Sequence, residues 1–262
     1  TFTLCASVDM WPVQVRSVDL EDPGPGANGA VQEIRLELGT VNDIEFGDLD
    51  CQTLRFFLNG QHQHVFHLYE RLFNNICSVE LEFSDSGGRS RTVNLDPGTI
   101  QPVGFEAQDK MLPYSNRSFP GYLLLFEYFT FPEKFLFFDL TGLDCLKNRS
   151  SGTSIKVKIF LDEGIKRDVV VNKDTFQLNC APAVNLFKKT AEPLRVEHKK
   201  TEYRVIPDLR RASSTEVYTV DQVKPASLSG SETKEYRPFY SIRHHLSDDG
   251  KKNNNVFWHI QR

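Results

Sequence analysis

Three histidines, His62, His64 and His67, fall within six positions at the start of a stretch with helical spacing. On a helix His64 and His67 are i,i+3 neighbours, close enough to share a metal ion. His62 points elsewhere, and no Cys or carboxylate completes a recognisable ligand set, so the trio reads as a solvated polar face. The adjacent pair His244-His245 splays its rings apart in a helix or a strand alike. Ser, His and Asp are all present, but no G-x-S-x-G elbow holds a nucleophile. No P-loop is present, and the one stretch that spells G-x-G-x-x-G, Gly24 to Gly29, lies in the DPGPGANG loop and is followed by strand alternation rather than a helix, so it offers no cradle for phosphate. Asp48 and Asp50 imitate the opening of a calcium loop without the Gly and the distant Glu that it needs. The expectation is a chain with no catalytic residue, no metal and no cofactor.

Two clusters suit recognition better than reaction. His198-Lys199-Lys200, Arg204 and Arg210-Arg211 form a basic group, but Glu192, Glu197, Glu202 and Asp208 are interleaved with it. Few surplus cations are left for counterion release, so nucleic acid is not expected as a partner. A strand face laced with salt bridges is the plain reading; a protein interface is the functional one, because Arg and Tyr anchor interfaces well. Asn185-Leu186-Phe187 follows Pro182 in a turn-rich setting, where its two apolar side chains either pack a core or dock a partner. The candidate partner-binding residues are therefore Asn185, Leu186, Phe187, Arg195, His198, Tyr203, Arg204 and Arg210.

These residues need a scaffold, and its centre is Ser118 to Leu143, which holds seven of the chain's twenty Phe. Its longest charge-free run is Ser118 to Phe126, well short of the roughly 20 residues of a membrane span. Pro120 suits a first helical turn, and Pro132 ends the helix before it. Tyr122 to Phe129 is apolar on nearly every face, which predicts a helix covered on most sides. FLFFDL after Lys134 reads as a buried strand, so Phe129, Phe135 and Phe137 are all expected in the core.

The remaining elements follow from periodicity. Gln61 to Ile76 is the clearest amphipathic helix, with Val65, Leu68, Leu72 and Ile76 on its stripe. Alternation predicts strands at Phe2 to Val8, Val13 to Leu20, Ile34 to Leu38, Leu54 to Leu58 and Ile155 to Leu161. Val79 to Phe83 and Arg91 to Leu95 form a hairpin around the Ser84–Gly88 turn. From about Asn172 helical periodicity disappears, and short strands are expected at Phe176 to Cys180, Leu194 to His198, Tyr203 to Ile206, Glu216 to Val220 and Val256 to Ile260. Ser227 to Glu232 and Ser247 to Asn255 read as loops. The fold class is thus α+β and β-rich, with antiparallel sheets and two main helices in residues 1–171 and a small all-β domain in 172–262.

Composition bounds the rest. A formal charge of −4 gives no general pull toward nucleic acid or anionic lipid. Five scattered cysteines, odd in number and without a C-x-x-C pair, read as free thiols of a reducing cytosol. In that compartment the glycosylation triplets at Asn116-Arg117-Ser118 and Asn148-Arg149-Ser150 are coincidental. A start without Met, in what reads as mid-strand, is expected of an excised segment.

Several long motifs carry a resemblance. YLLLFEYFTFPEKFLFFDLTGL at Tyr122 to Leu143, the Trp11-Pro12 pair, F-x-LNC-x-P-x-VNLF at Phe176 to Phe187, AEP-x-R-x-x-H at Ala191 to His198, EYRV-x-PD-x-RR at Glu202 to Arg211 and EVY-x-V-D at Glu216 to Asp221 stand together. The pattern, from Trp11 to Asp221, resembles TssF, a baseplate protein of the bacterial type VI secretion system; the tail after Val223 departs from it. The resemblance implies a structural, non-catalytic subunit on the cytoplasmic side of the inner membrane. Its implied partners are TssG, TssE, TssK and the spike hub, with a second TssF copy possible and no insertion into the membrane. A β-module binding a small molecule or carbohydrate is the alternative.

Overall fold

The computed structural model describes residues 1–24, 29–85, 87–113, 119–147, 149, 151–197, 199–225, 235–240 and 257–261. His198, His244-His245, the Asn116-Arg117-Ser118 triplet, Asn148, Ser150 and the expected loops Ser227 to Glu232 and Ser247 to Asn255 lie outside the described residues. The chain divides into a larger unit, Phe2–Asn185, and a smaller one, Leu186–Arg262 with Thr1.

In the larger unit the strands are β1 (Thr3–Leu4), β2 (Val13–Glu21), β3 (Gln32–Thr40), β4 (Leu54–Leu58), β5 (Ile76–Ser84), β6 (Ser90–Leu95), β7 (Ile100–Pro102), β8 (Phe137–Leu140), β9 (Ser154–Leu161), β10 (Phe176–Leu178) and β11 (Ala183–Val184). Helix α1 spans His62–Asn74 and α2 spans Pro120–Thr130. Five strands form an antiparallel sheet in the order β2-β3-β9-β5-β6, and four form a second in the order β10-β4-β8-β7; β1 pairs with β11.

Alternation sorts the five-stranded sheet into two faces. Ile34, Leu36 and Leu38 of β3, Ile155, Val157 and Ile159 of β9, and Val79, Leu81 and Phe83 of β5 are all buried. Their neighbours on the other face form a ladder of charges: Glu37 opposite Lys156 opposite Glu82, and Arg35 opposite Lys158 opposite Glu80. Lys158 Nζ reaches Glu82 Oε2 at 2.7 Å, and this bond is the main reason why the Glu82 carboxyl titrates below the ordinary carboxylate range. Cross-strand pairs of opposite charge are worth about 0.2–1 kcal/mol each, and the like-charged Arg35 opposite Lys158 is offset by Glu21 and Glu33, which both bind Arg35.

The core closes with α1 and the second sheet. Val65, Leu68 and Leu72 join the same apolar cluster as Phe56 and Leu58 of β4, Phe138 and Leu140 of β8 and Phe176 of β10. Phe56 stacks on Phe138 with ring centroids 5.1 Å apart, and Phe176 meets both rings edge-on. The expected boundary at 171/172 precedes a strand that the first unit needs, because Phe176 sits opposite Leu58 and Leu178 opposite Phe56.

The smaller unit carries less regular structure than the alternation predicts. Among the described residues its strands are β12 (Arg237–Pro238) and β13 (Phe257–Trp258), which run parallel. Leu194 to Glu197, Tyr203 to Ile206 and Glu216 to Val220 form no strand. Leu194 and Val196 are exposed and bury no face, and Pro193 and Pro207 cannot donate to a ladder.

A candidate partner interface on helix α2

Helix α2 begins on Pro120 and ends where Phe131 leaves the helical region ahead of Pro132. Its sequence is so apolar that burial on most sides was expected, yet only Leu123 and Glu127 are buried. These two are i,i+4 neighbours and mark the face turned to the body. Tyr122, Leu125, Phe126 and Phe129 occupy i, i+3, i+4 and i+7, and all four are exposed, Phe129 at 80% and Tyr122 at 67%. Phe119, Tyr128 and Phe131 extend the exposed patch. Phe135 and Phe137 are buried as expected, at 6% and 5%; Phe129 is the correction.

The helix is therefore inverted relative to an ordinary surface helix, with its carboxylate inside and its aromatic rings outside. The reason lies beneath it. Glu127 Oε1 accepts the backbone N–H of Met111 at 2.9 Å, and Oε2 accepts from Lys134 Nζ. Lys134 Nζ also lies 5.0 Å from the Phe135 ring centre. Phe135 in turn contacts Phe105 and Tyr128. The backbone crosses Lys134 closely at Gly104, whose φ of 102° and position leave no room for a side chain: a Cβ would lie 2.8 Å from the Lys134 carbonyl oxygen. The ion pair, buried Leu123 and the Tyr128–Phe135 contact anchor α2, while Tyr122, Leu125, Phe126 and Phe129 point away from that face.

The segments predicted from sequence take a different form. Glu192 N donates to Ile206 O at 2.9 Å, Glu197 N donates to the Tyr203 hydroxyl at 2.9 Å, and Lys189 Nζ pairs with Asp208. These three links hold 189–197 and 203–208 side by side as an open hairpin. The Lys189 bond, with help from the Arg210 N–H, keeps the Asp208 carboxyl below its ordinary range. Asn185, Phe187, Arg195, Arg204 and Arg210 are exposed, and Leu186 and Tyr203 are half-buried. Within the smaller unit the hairpin links bring the Arg195 and Tyr203–Arg204 segments together.

The histidines do not converge. His62 Nε2 lies 2.9 Å from Glu133 Oε1, while His67 accepts from Lys166 N and lies 3.7 Å from Glu70. Among the described residues no group of three His, Cys, Asp or Glu is placed to hold a metal ion. A hollow lined by Arg55, Gly104, Asp109, Lys134 and Phe137 encloses about 10 Å³, room for about one water, where small-molecule sites take about 300–1,000 Å³. Among the described residues no helix is long and apolar enough to cross a membrane.

Comparison with known proteins decides the family. The family described as Type VI secretion system, TssF matches residues 1–262. The chain belongs to the TssF family. This TssF chain is 29% identical over 245 residues to type VI secretion system component TssF1 of Pseudomonas aeruginosa, which is 90% of the chain and 39% of that relative. It also resembles a chain of the type VI secretion system TssK-TssF-TssG baseplate subcomplex solved by cryo-electron microscopy, with a TM-score of 0.76 and 26% identity. That match covers 91% of this TssF chain and 43% of the solved one, so the chain spans about two fifths of the relatives it matches.

The outer rings of α2 were absent from the residues chosen by sequence. The sequence carried no signal for them: a lone carboxylate in an apolar helix ordinarily marks the side toward water, and the pairing of Glu127 with Lys134 and the Met111 N–H is what turns it inward.

Proposed function

We propose that this TssF chain is a structural, non-catalytic part of the type VI secretion baseplate and works by assembling with TssG and TssK. The observation that carries the proposal is the charge-free face of α2 made by Tyr122, Leu125, Phe126 and Phe129, all of them exposed. A solved relative found in a TssK-TssF-TssG complex supports those two partners. Contacts with TssE, the spike hub and a second TssF copy, and a place at the cytoplasmic side of the inner membrane, belong to the same reading. In the smaller unit Leu186, Phe187, Arg195, His198, Tyr203, Arg204 and Arg210 are a second proposed contact region, rich in the Arg and Tyr that anchor interfaces, and Asn185 of the larger unit is a further proposed contact residue.

The test is co-expression of the intact protein with tagged TssG and TssK, followed by size-exclusion chromatography. The expected result is a complex that holds together through the column. Elution of the protein apart from both subunits at micromolar concentration refutes the reading.

A further inference from the structure

We propose that the outward face of α2 is a docking surface for an amphipathic helix of a partner subunit, one that presents a stripe of small and aliphatic side chains. The inference rests on the assembly reading above, and specifies which surface assembles and what it receives.

Size comes first. Six exposed aromatic residues and Leu125 leave roughly 800 Å² of apolar surface in water, taking about 150–250 Å² per aromatic side chain. The largest patch on a typical monomer is about 300–600 Å², whereas each side of a stable interface buries about 800 Å². The patch has the area of half an interface.

Shape and chemistry select the occupant. Tyr122, Leu125, Phe126 and Phe129 repeat at the spacing that forms a ridge along a helix, and such ridges pack into the grooves of another helix. Helix axes in contact lie about 8–10 Å apart depending on the side chains between them, so a row of large rings on α2 is best matched by a stripe of small and aliphatic side chains. None of these four residues is charged, and an unpaired charge brought against them would be desolvated without compensation. The convex face offers no enclosure to a small molecule. Between Phe119 and Phe131 there is no Lys or Arg to draw the helix to an anionic membrane surface.

The experiment places a photocrosslinker at the most exposed ring, as Phe129→p-benzoylphenylalanine, in the intact protein co-expressed with TssG and TssK. Crosslinks are expected to TssG or TssK residues three or four positions apart within one helix. In parallel, Phe126→Asp with Phe129→Asp is expected to lower co-purified partner at least tenfold while circular dichroism is unchanged. Crosslinks confined to the chain itself or to a second copy overturn the proposal. Flotation of the wild type with phosphatidylglycerol vesicles, abolished by the same two substitutions, overturns it in favour of a membrane. Partner retained equally by wild type and double variant overturns the docking surface and leaves the assembly reading standing. A wild type that retains neither subunit sinks both, and is a separate result.

Discussion

Lys134 Nζ donates to Glu127 Oε2 across the proline break that ends α2, and both side chains are almost wholly buried, at 2% and 3%. Burying two charges is costly unless the remaining donors and acceptors are also satisfied. Here Met111 N–H takes the second carboxylate oxygen, and the Phe135 ring lies beside the ammonium. The pair therefore works as a latch. It sets which face of α2 turns inward, and so which face is left for a partner.

Breaking one side of the latch should be far worse than removing both charges. Lys134→Met leaves a buried carboxylate without its cation and is expected to cost about 3–5 kcal/mol. Adding Glu127→Gln removes that charge while keeping an acceptor for Met111 N–H, so the double variant should recover part of the loss. Urea unfolding of both variants checks this. A double variant less stable than Lys134→Met would show that Glu127 is not held by Lys134.

Phe129 and Phe138 separate surface from core. Phe138 is 2% exposed and stacks on Phe56, so Phe138→Ala should cost about 3–5 kcal/mol. Phe129→Ala, at 80% exposure, should stay within about 0.5 kcal/mol of the parent. Thermal melts of the two variants measure the contrast, and equal losses would mean that Phe129 packs against the body.

Stability should fall on the alkaline side. Burial pushes the Cys51 thiol from its ordinary 9.0 to about 12, and the Tyr69 phenol from 10.0 to about 12. Between pH 9 and 12 the folded chain therefore holds protons that the unfolded chain has lost. The stabilisation is fully present below pH 9 and declines as pH rises toward 12. Urea midpoints measured from pH 8 to 11 should drop, and Cys51→Ala should flatten the slope. A parent midpoint that does not change over this range would contradict the burial of both groups.

Tyr203 and Arg204 test the second contact region. Arg204 is exposed, so Arg204→Glu should leave the fold intact, since losses at exposed charged sites are about 0–1 kcal/mol. Tyr203→Ala removes the hydroxyl that accepts Glu197 N–H and should loosen the open hairpin alone. Both variants are expected to bind TssG or TssK more weakly in a pull-down, with unchanged circular dichroism. Undiminished binding by both, with the fold intact, would move the interface elsewhere.

Local pattern was enough for the elements whose burial is decided along the chain. Over Ile34 to Leu38, Val79 to Phe83 and Ile155 to Ile159 the strands β3, β5 and β9 alternate apolar with charged residues, which marks the face to be buried, and α1 carries its apolar stripe at helical spacing. The prolines at 120 and 132 delimited α2 because their steric effects act on neighbouring residues. The long motifs pointed to the TssF family for a different reason, since identity of wording needs no geometry. The direction in which α2 faces was not legible in its composition. A helix apolar nearly all round has no preferred inward side, and the choice was made by two groups outside the helix, the Met111 N–H and the Lys134 ammonium. Pairing decided the rest: Phe176–Leu178 became a strand because β4 lay beside it, while Leu194 to Glu197 and Tyr203 to Ile206 alternate equally well but, among the described residues, form no ladder, the bond from Glu192 to Ile206 lying at their edge. Alternation states which side of a strand is apolar, and only the fold supplies something for that side to cover.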